Sequence, residues 1–274
     1  MASAALRLGP VLIERPLVEV VSRWPDRVAG LVGARVLRLR CRGKHLLLEL
    51  SDSTSLRVHL RMTGSWRVEP PRTAPARWGD LGEVSVGFRS EAGVAVCRRA
   101  PDLDRVPTRA VHLHPALQRV GPDLIGLDVE AGGPLPLPPP PVDQAVANAR
   151  QHGAGRSLHA VLLDQSIAAG LGNVYANELA FVLRRHPLTP VDAIGDDALM
   201  RAYERGASWL RRNVGPGPRT TVRDGPAGSL WVTRRHRRPC RRCGTRIARG
   251  RSAPPHDRPL WWCPRCQLPP GGLV

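Results

Sequence analysis

The feature that most constrains this chain lies near its C-terminus. Cys240-x2-Cys243 is followed, after nineteen residues, by Cys263-x2-Cys266. Each CxxC turn offers two sulfurs on one side of a tight knuckle, and four thiolates at about 2.3 Å are what a tetrahedral zinc ion takes. Two such knuckles close a β-hairpin too small to fold by burial alone. Gly244, directly after Cys243, suits the knuckle's need for a positive φ. The spacing predicts one structural Zn2+ on Cys240, Cys243, Cys263 and Cys266, with no position left open for catalysis. Cys41 and Cys97 stand apart. The alternatives of free thiols or redox pairs fit poorly with two regularly spaced pairs among arginines.

The zinc element sits in a strongly basic segment. From Pro216 to Val274 there are thirteen arginines against two acids, Asp224 and Asp257, and the whole chain carries a formal charge of +18. A field of that sign and size points to a polyanionic partner. No run of about 18 apolar residues exists to span a membrane, and the first residues lack the pattern of a secretory signal, so the expected location is cytoplasmic. Of 41 basic residues, 40 are arginine and one is lysine, Lys44.

At 274 residues the chain is long enough for two or three domains. Residues 34–70 alternate apolar and polar side chains. Ala34 to Arg40, His45 to Leu50 and Ser55 to Met62 read as strands, with a turn at Ser51-Asp52-Ser53-Thr54. Glu83 to Phe88 and Gly93 to Cys97 add two more, which predicts an antiparallel β-sandwich over residues 1–128. The run Pro134-Leu-Pro-Leu-Pro-Pro-Pro-Pro-Val142 reads as a semi-rigid spacer, with a linker over 129–142. Helical patterns follow over 143–215. Asp143 is placed to cap a first helix running to Gln151. Apolar spacing marks Leu158 to Gln165, a glycine-containing turn leads into a helix starting at Asn173, and Asp196 to Arg212 is amphipathic. The remainder, 216–274, is the basic segment with the cysteines. The fold class expected is α+β multidomain.

The segment Leu162-Leu-Asp-Gln-Ser-Ile-Ala-Ala-Gly-Leu-Gly-Asn-Val-Tyr-Ala-Asn-Glu-Leu-Ala-Phe is helix, tight turn, helix, and the first N–H groups of its second helix can bind phosphate. With it stand Arg42-Gly-Lys-His-Leu-Leu-Leu, His59-Leu-Arg-Met-Thr-Gly-Ser-Trp-Arg, Gln118-Arg-Val-Gly-Pro-Asp and Arg258-Pro-Leu-Trp-Trp-Cys-Pro-Arg-Cys-Gln. In this order these segments resemble the formamidopyrimidine-DNA glycosylase and endonuclease VIII family of base-excision repair enzymes. The endonuclease VIII branch fits better, because no Arg-Phe pair follows Cys97.

The resemblance implies a β-sandwich, a helix-two-turn-helix domain and a β-hairpin zinc finger. It implies a partner, damaged double-stranded DNA, bound by a monomer that flips the damaged nucleotide out of the stack. The implied chemistry is cleavage of the glycosidic bond of an oxidised base, pyrimidines above all, through a Schiff base, followed by β,δ-elimination. Lys44 matches the hairpin lysine that touches phosphate and assists elimination. It is the one basic side chain here that can readily give up a proton. Met62 matches the apolar wedge that fills the gap left by the flipped base. Arg61, Arg119 and Asn173 match backbone- or gap-contacting positions. Arg258 matches the zinc-finger arginine that grips lesion phosphates and aids δ-elimination. Departing from the family pattern, the sequence opens Met-Ala-Ser-Ala-Ala, where the resemblance implies a proline nucleophile followed by glutamate. The first helix therefore reads as lacking its opening turns. Two readings stay open at this point: an assigned start downstream of the true one, or a relative that binds lesions without cutting them.

Overall fold

A computed structural model describes residues 1–61, 63–71, 78, 80–253 and 257–268. The chain divides into two compact units. The first comprises residues 1–118 and 126–138, the second residues 119–125 and 139–274.

The first unit opens with helix α1 (Ala2–Leu12). The helix expected to be curtailed is an eleven-residue element. Alanine and leucine favour it, and Ala4, Ala5, Leu8, Val11 and Leu12 recur at helical spacing to bury one face. Pro10 lies inside it, which discourages a helical reading of the sequence. Gly9 lets the helix lie close to β9, because a Cβ there would stand 3.0 Å from the Val129 side chain. The following elements are β1 (Glu19–Val21), α2 (Pro25–Val28), β2 (Val36–Arg42), β3 (His45–Leu50), β4 (Thr54–His59), β5 (Ser65–Glu69), β6 (Val84–Ser90), β7 (Gly93–Arg98), β8 (Asp102–Pro107), α3 (Pro115–Gln118), β9 (Asp128–Glu130) and β10 (Gly133–Pro134).

These strands make two antiparallel sheets, ordered β1-β6-β7-β5 and β10-β9-β2-β3-β4-β8. Helix α1 touches strands of both. The expected sandwich is therefore present, with two differences from the sequence reading. The start of the presumed linker is sheet, since β9 pairs with β2 and β10 with β9. The compact unit also ends at 138 rather than 128, while residues 119–125 belong to the second unit. Two turns place the chemistry-bearing edge. Arg42 pairs with His45 across the two-residue turn Gly43-Lys44, where Gly43 takes φ 56°. The Asp52 side chain accepts from the Thr54 amide at 3.0 Å and closes the next turn.

The second unit holds α4 (Val142–Gly153), α5 (Leu158–Leu163), α6 (Asn173–Val182), α7 (Asp196–Arg212) and the hairpin β11 (Ala248–Arg251) with β12 (Pro259–Trp262). Helix α4 starts two residues earlier than a cap at Asp143 would set it, so Asp143 lies in its first turn and Pro141 takes the cap position. A carboxylate in the first turn still favours the helix by its charge. Helix α7 has the expected bounds, with two aspartates opening it and two arginines closing it. The helices close around Leu158, Val161, Leu162, Leu179, Tyr203 and Leu210. The hairpin packs on α6 through a second cluster of Phe181, Val232, Ile247, Trp261 and two cysteines. The separately expected helical and zinc-bearing domains thus lie within one compact unit. No helix among the described residues is long and apolar enough to cross a membrane.

Candidate nucleic-acid interface and cysteine cluster

In the first unit, antiparallel pairing sets His45 on β3 opposite His59 on β4, so Lys44 and Arg61 lie at the same end of the six-stranded sheet. Both are exposed. Arg61 takes φ 50°, a left-handed conformation uncommon for a non-glycine residue. Met62, the expected wedge, lies outside the described residues. The turn around it is held from its far side, where Gly64 donates to the Leu60 carbonyl at 2.9 Å. A Cβ on Gly64 would sit 2.6 Å from that carbonyl oxygen, so only glycine fits.

Beneath Lys44 and Arg61 runs a ladder of polar side chains that the sequence reading did not single out. His45, His59 and Asp102 are successive cross-strand partners on β3, β4 and β8. The two imidazoles stack with centroids 4.4 Å apart. Arg57 donates to His45 Nδ1 at 2.9 Å, which requires a neutral His45 with that nitrogen as acceptor. Burial, reinforced by the neighbouring His59 and Arg57, lowers the His45 pKa to about 3. Asp102 Oδ2 accepts from Arg61 Nε at 2.9 Å and lies 3.3 Å from His59 Nδ1. Burial would raise the Asp102 carboxyl, but hydrogen bonds from Arg61 and His59 outweigh it and hold the group below the usual carboxylate range. One register step along, Asp104 pairs with Arg57 and with Arg27 of α2.

In the second unit, three of the motifs singled out from the sequence meet. The loop between α5 and α6 is wired internally. Gln165 Nε2 donates to the carbonyls of Leu163 and Leu171, and Asp164 accepts from the Ser166 amide. The segment Arg119–Ile125 docks on this loop, with Gly121 N donating to Gln165 O and Ala169 N to Pro122 O, each at 2.8 Å. A Cβ on Gly121 would lie 2.2 Å from the Ser166 carbonyl oxygen. That is the physical reason for glycine in Gln118-Arg-Val-Gly-Pro-Asp, and it leaves Arg119 exposed beside the turn.

Asn173 opens α6, where the first N–H groups have no acceptor within the helix. Its side chain is fully engaged by the protein. Oδ1 lies 2.9 Å from His159 Nε2, and Nδ2 donates to Pro259 O at 2.9 Å. Asn177, one turn on and buried, also reaches Pro259 O and accepts from the Trp261 amide. These two asparagines fasten β12 to α6 and fix the backbone next to Arg258. The Arg258 side chain is exposed, while its backbone exchanges hydrogen bonds with Ser252. Glu178, fully buried on α6, accepts from the amides of Trp231, Val232 and Thr233 and from the hydroxyls of Thr221 and Thr233. It thereby gathers the backbone that leads from the helices to the first cysteine pair.

The Sγ atoms of Cys240, Cys243, Cys263 and Cys266 all lie within 4.8 Å of one another. Sulfurs at about 2.3 Å from a common tetrahedral centre stand at about 3.8 Å from one another, so the four fit a single ion. The two knuckles repeat one geometry, with Gly244 N donating to Cys240 O and Gln267 N to Cys263 O, each at 2.9 Å. Gly244 takes φ 76°, as the spacing predicted. Gln267 Nε2 donates to Arg185 O just beyond α6, and Arg242 lies 4.2 Å over the Phe181 ring. The cysteine-bearing hairpin is thus tied to the helical layer at both ends.

Comparison with known proteins agrees with this geometry. The formamidopyrimidine-DNA glycosylase N-terminal domain matches residues 8–97, and the formamidopyrimidine-DNA glycosylase H2TH domain matches residues 133–223. The chain is 36% identical over 243 residues to the DNA-(apurinic or apyrimidinic site) lyase Nei2 of Mycolicibacterium smegmatis, covering 86% of this chain and 84% of that protein. It is 35% identical over 272 residues to a probable endonuclease 8 2 of Streptomyces coelicolor, covering 97% and 92%. The MutM (Fpg) protein of Thermus thermophilus superposes with a TM-score of 0.73 at 28% identity, covering 97% of this chain and 96% of that one.

Proposed function

The chain belongs to the formamidopyrimidine-DNA glycosylase and endonuclease 8 family, and on that premise we propose that it is a base-excision repair glycosylase with abasic-site lyase activity on damaged duplex DNA. The observation that carries the reading is the convergence in the second unit. Asn173, Asn177 and the Pro259 carbonyl hold the backbone at Arg258, while Gly121 lets the segment carrying Arg119 dock on the loop that leads into α6. A surface built from helix N-terminal amides and fixed arginines suits the phosphates of a strand. Lys44 and Arg61, at one end of the sheet, supply the first unit's contribution. Lys44 holds phosphate and assists elimination, and Arg61 with Met62 enters the gap left by a flipped base. The lesions are oxidised bases, pyrimidines above all, and the protein acts as a monomer.

The four cysteines hold one Zn2+, which supplies no reaction chemistry and keeps the Arg258 hairpin folded. Two of the four are buried against Ile247 and Trp261, the soft all-thiolate donor set suits zinc, and the protein leaves no fifth ligand in reach of substrate.

A Schiff base needs an amine, and this sequence carries Ala2-Ser3 where the family pattern has proline and glutamate. A second reading is binding of lesions without cutting. A duplex with a single abasic site separates the two. Strand scission resolved on a denaturing gel, abolished in K44A, supports the lyase. Selective binding of the abasic duplex with no scission supports the second reading and rejects the first.

A further inference from the structure

The polar ladder under Lys44 has no part in the chemistry described so far. Asp102 is its outermost member and the one that reaches an interface residue. It opens β8 directly across from His59, and its Oδ2 receives both Arg61 Nε and the His59 imidazole. Arg61 leaves β4 in a left-handed conformation immediately before Met62. Its guanidinium is held by Asp102, with Nε 2.9 Å from Oδ2. Lys44 lies at the same sheet end, across the stacked pair of imidazoles from Asp102.

We propose that Asp102 is a positioning residue for damage recognition, aiming Arg61 at the gap left by a flipped nucleotide. The inference rests on the proposed function, because it needs Arg61 to touch damaged DNA. Magnitudes favour orientation over stability as the role. The Arg61 side chain is 62% exposed, and an ion pair with so exposed a partner adds little to folding. The same pair removes rotamer freedom from a long side chain before DNA arrives, which lowers the cost of ordering it on binding. His59, stacked on His45 and bonded to the same carboxylate, keeps Asp102 from following Arg61 outward.

The test is a double-mutant cycle on the full chain with its metal. Fluorescence anisotropy measures affinity for a duplex carrying a tetrahydrofuran abasic analogue and for the same duplex undamaged, and the ratio is the readout. Asp102→Asn keeps the shape and removes the charge. It is expected to lower the ratio about tenfold, the scale of one hydrogen bond to a charged group, with its melting temperature near the parent's. Arg61→Ala is expected to lower the ratio similarly, the double variant no further than Arg61→Ala alone, and Asp102→Glu to recover part of the loss. A parental ratio in Asp102→Asn or in Arg61→Ala overturns the inference. So does a double variant whose losses add, or a loss of ratio that only accompanies unfolding. A parent protein with equal affinity for the two duplexes fails earlier and differently: it removes the DNA-damage reading itself.

Discussion

Glu178 shows how one side chain can organise a long stretch of irregular backbone. Residues 213–247 contain neither helix nor strand, so their amides must find partners elsewhere. Five donors find one buried carboxylate. An acceptor-only group suits them, and an amide in its place would turn an NH2 toward N–H donors. Glu178→Ala leaves all five unpaired in an enclosed site, which costs about 3 kcal/mol or more. For a chain of this size that corresponds to a melting temperature lower by about 10 °C in a calorimetric or circular-dichroism melt. A melt unchanged within about 2 °C would show the five donors finding water instead. Nothing in the sequence marks this glutamate, since it sits in a helical pattern where a charged residue reads as solvent-facing. His45, His59 and Asp102 are equally hidden. They become neighbours only through the register of three strands, and a single sequence does not state register.

At the scale of elements, short-range rules carried furthest. Helix α7 follows from its amphipathic period and its terminal charges, the start of α6 from Gly172-Asn173 after a glycine turn, and the knuckles from CxxC-Gly. What short-range rules missed were elements that tertiary contact sustains. Helix α1 tolerates Pro10 because its apolar face is buried against both sheets, and β9 and β10 form just ahead of the proline-rich run because β2 offers an edge. The β11–β12 hairpin, which the paired knuckles predicted, has four-residue strands and a small cluster beneath them. Its persistence is assigned to the metal. Elemental analysis of the purified protein is expected to find one zinc per chain. Removal of the metal with a thiol reagent and chelator is expected to change the fluorescence of Trp261 and Trp262 and weaken duplex binding, with recovery on adding Zn2+. Full DNA affinity after complete removal would contradict that assignment.

The whole molecule is a strongly basic chain whose two units each carry a share of the recognition residues. A net charge of +18 makes DNA affinity salt-dependent regardless of sequence, so charge alone would describe any nucleic-acid binder. On the proposed function, selectivity for damage is assigned to Lys44, Arg61 and Met62 in the first unit and to Arg119, Asn173 and Arg258 in the second. These positions were legible because family motifs surround them. The groups that hold them in place were not, because those supports are buried polar contacts between distant segments. A lyase of this kind forms a covalent bond to an abasic site, and borohydride trapping detects that bond most directly. The protein is incubated with an abasic duplex and sodium borohydride, and the product is resolved by denaturing gel and peptide mass mapping. The account predicts a stable protein–DNA adduct at an amine of this chain. Intact, selective binding of the same duplex with no trapped adduct would contradict it.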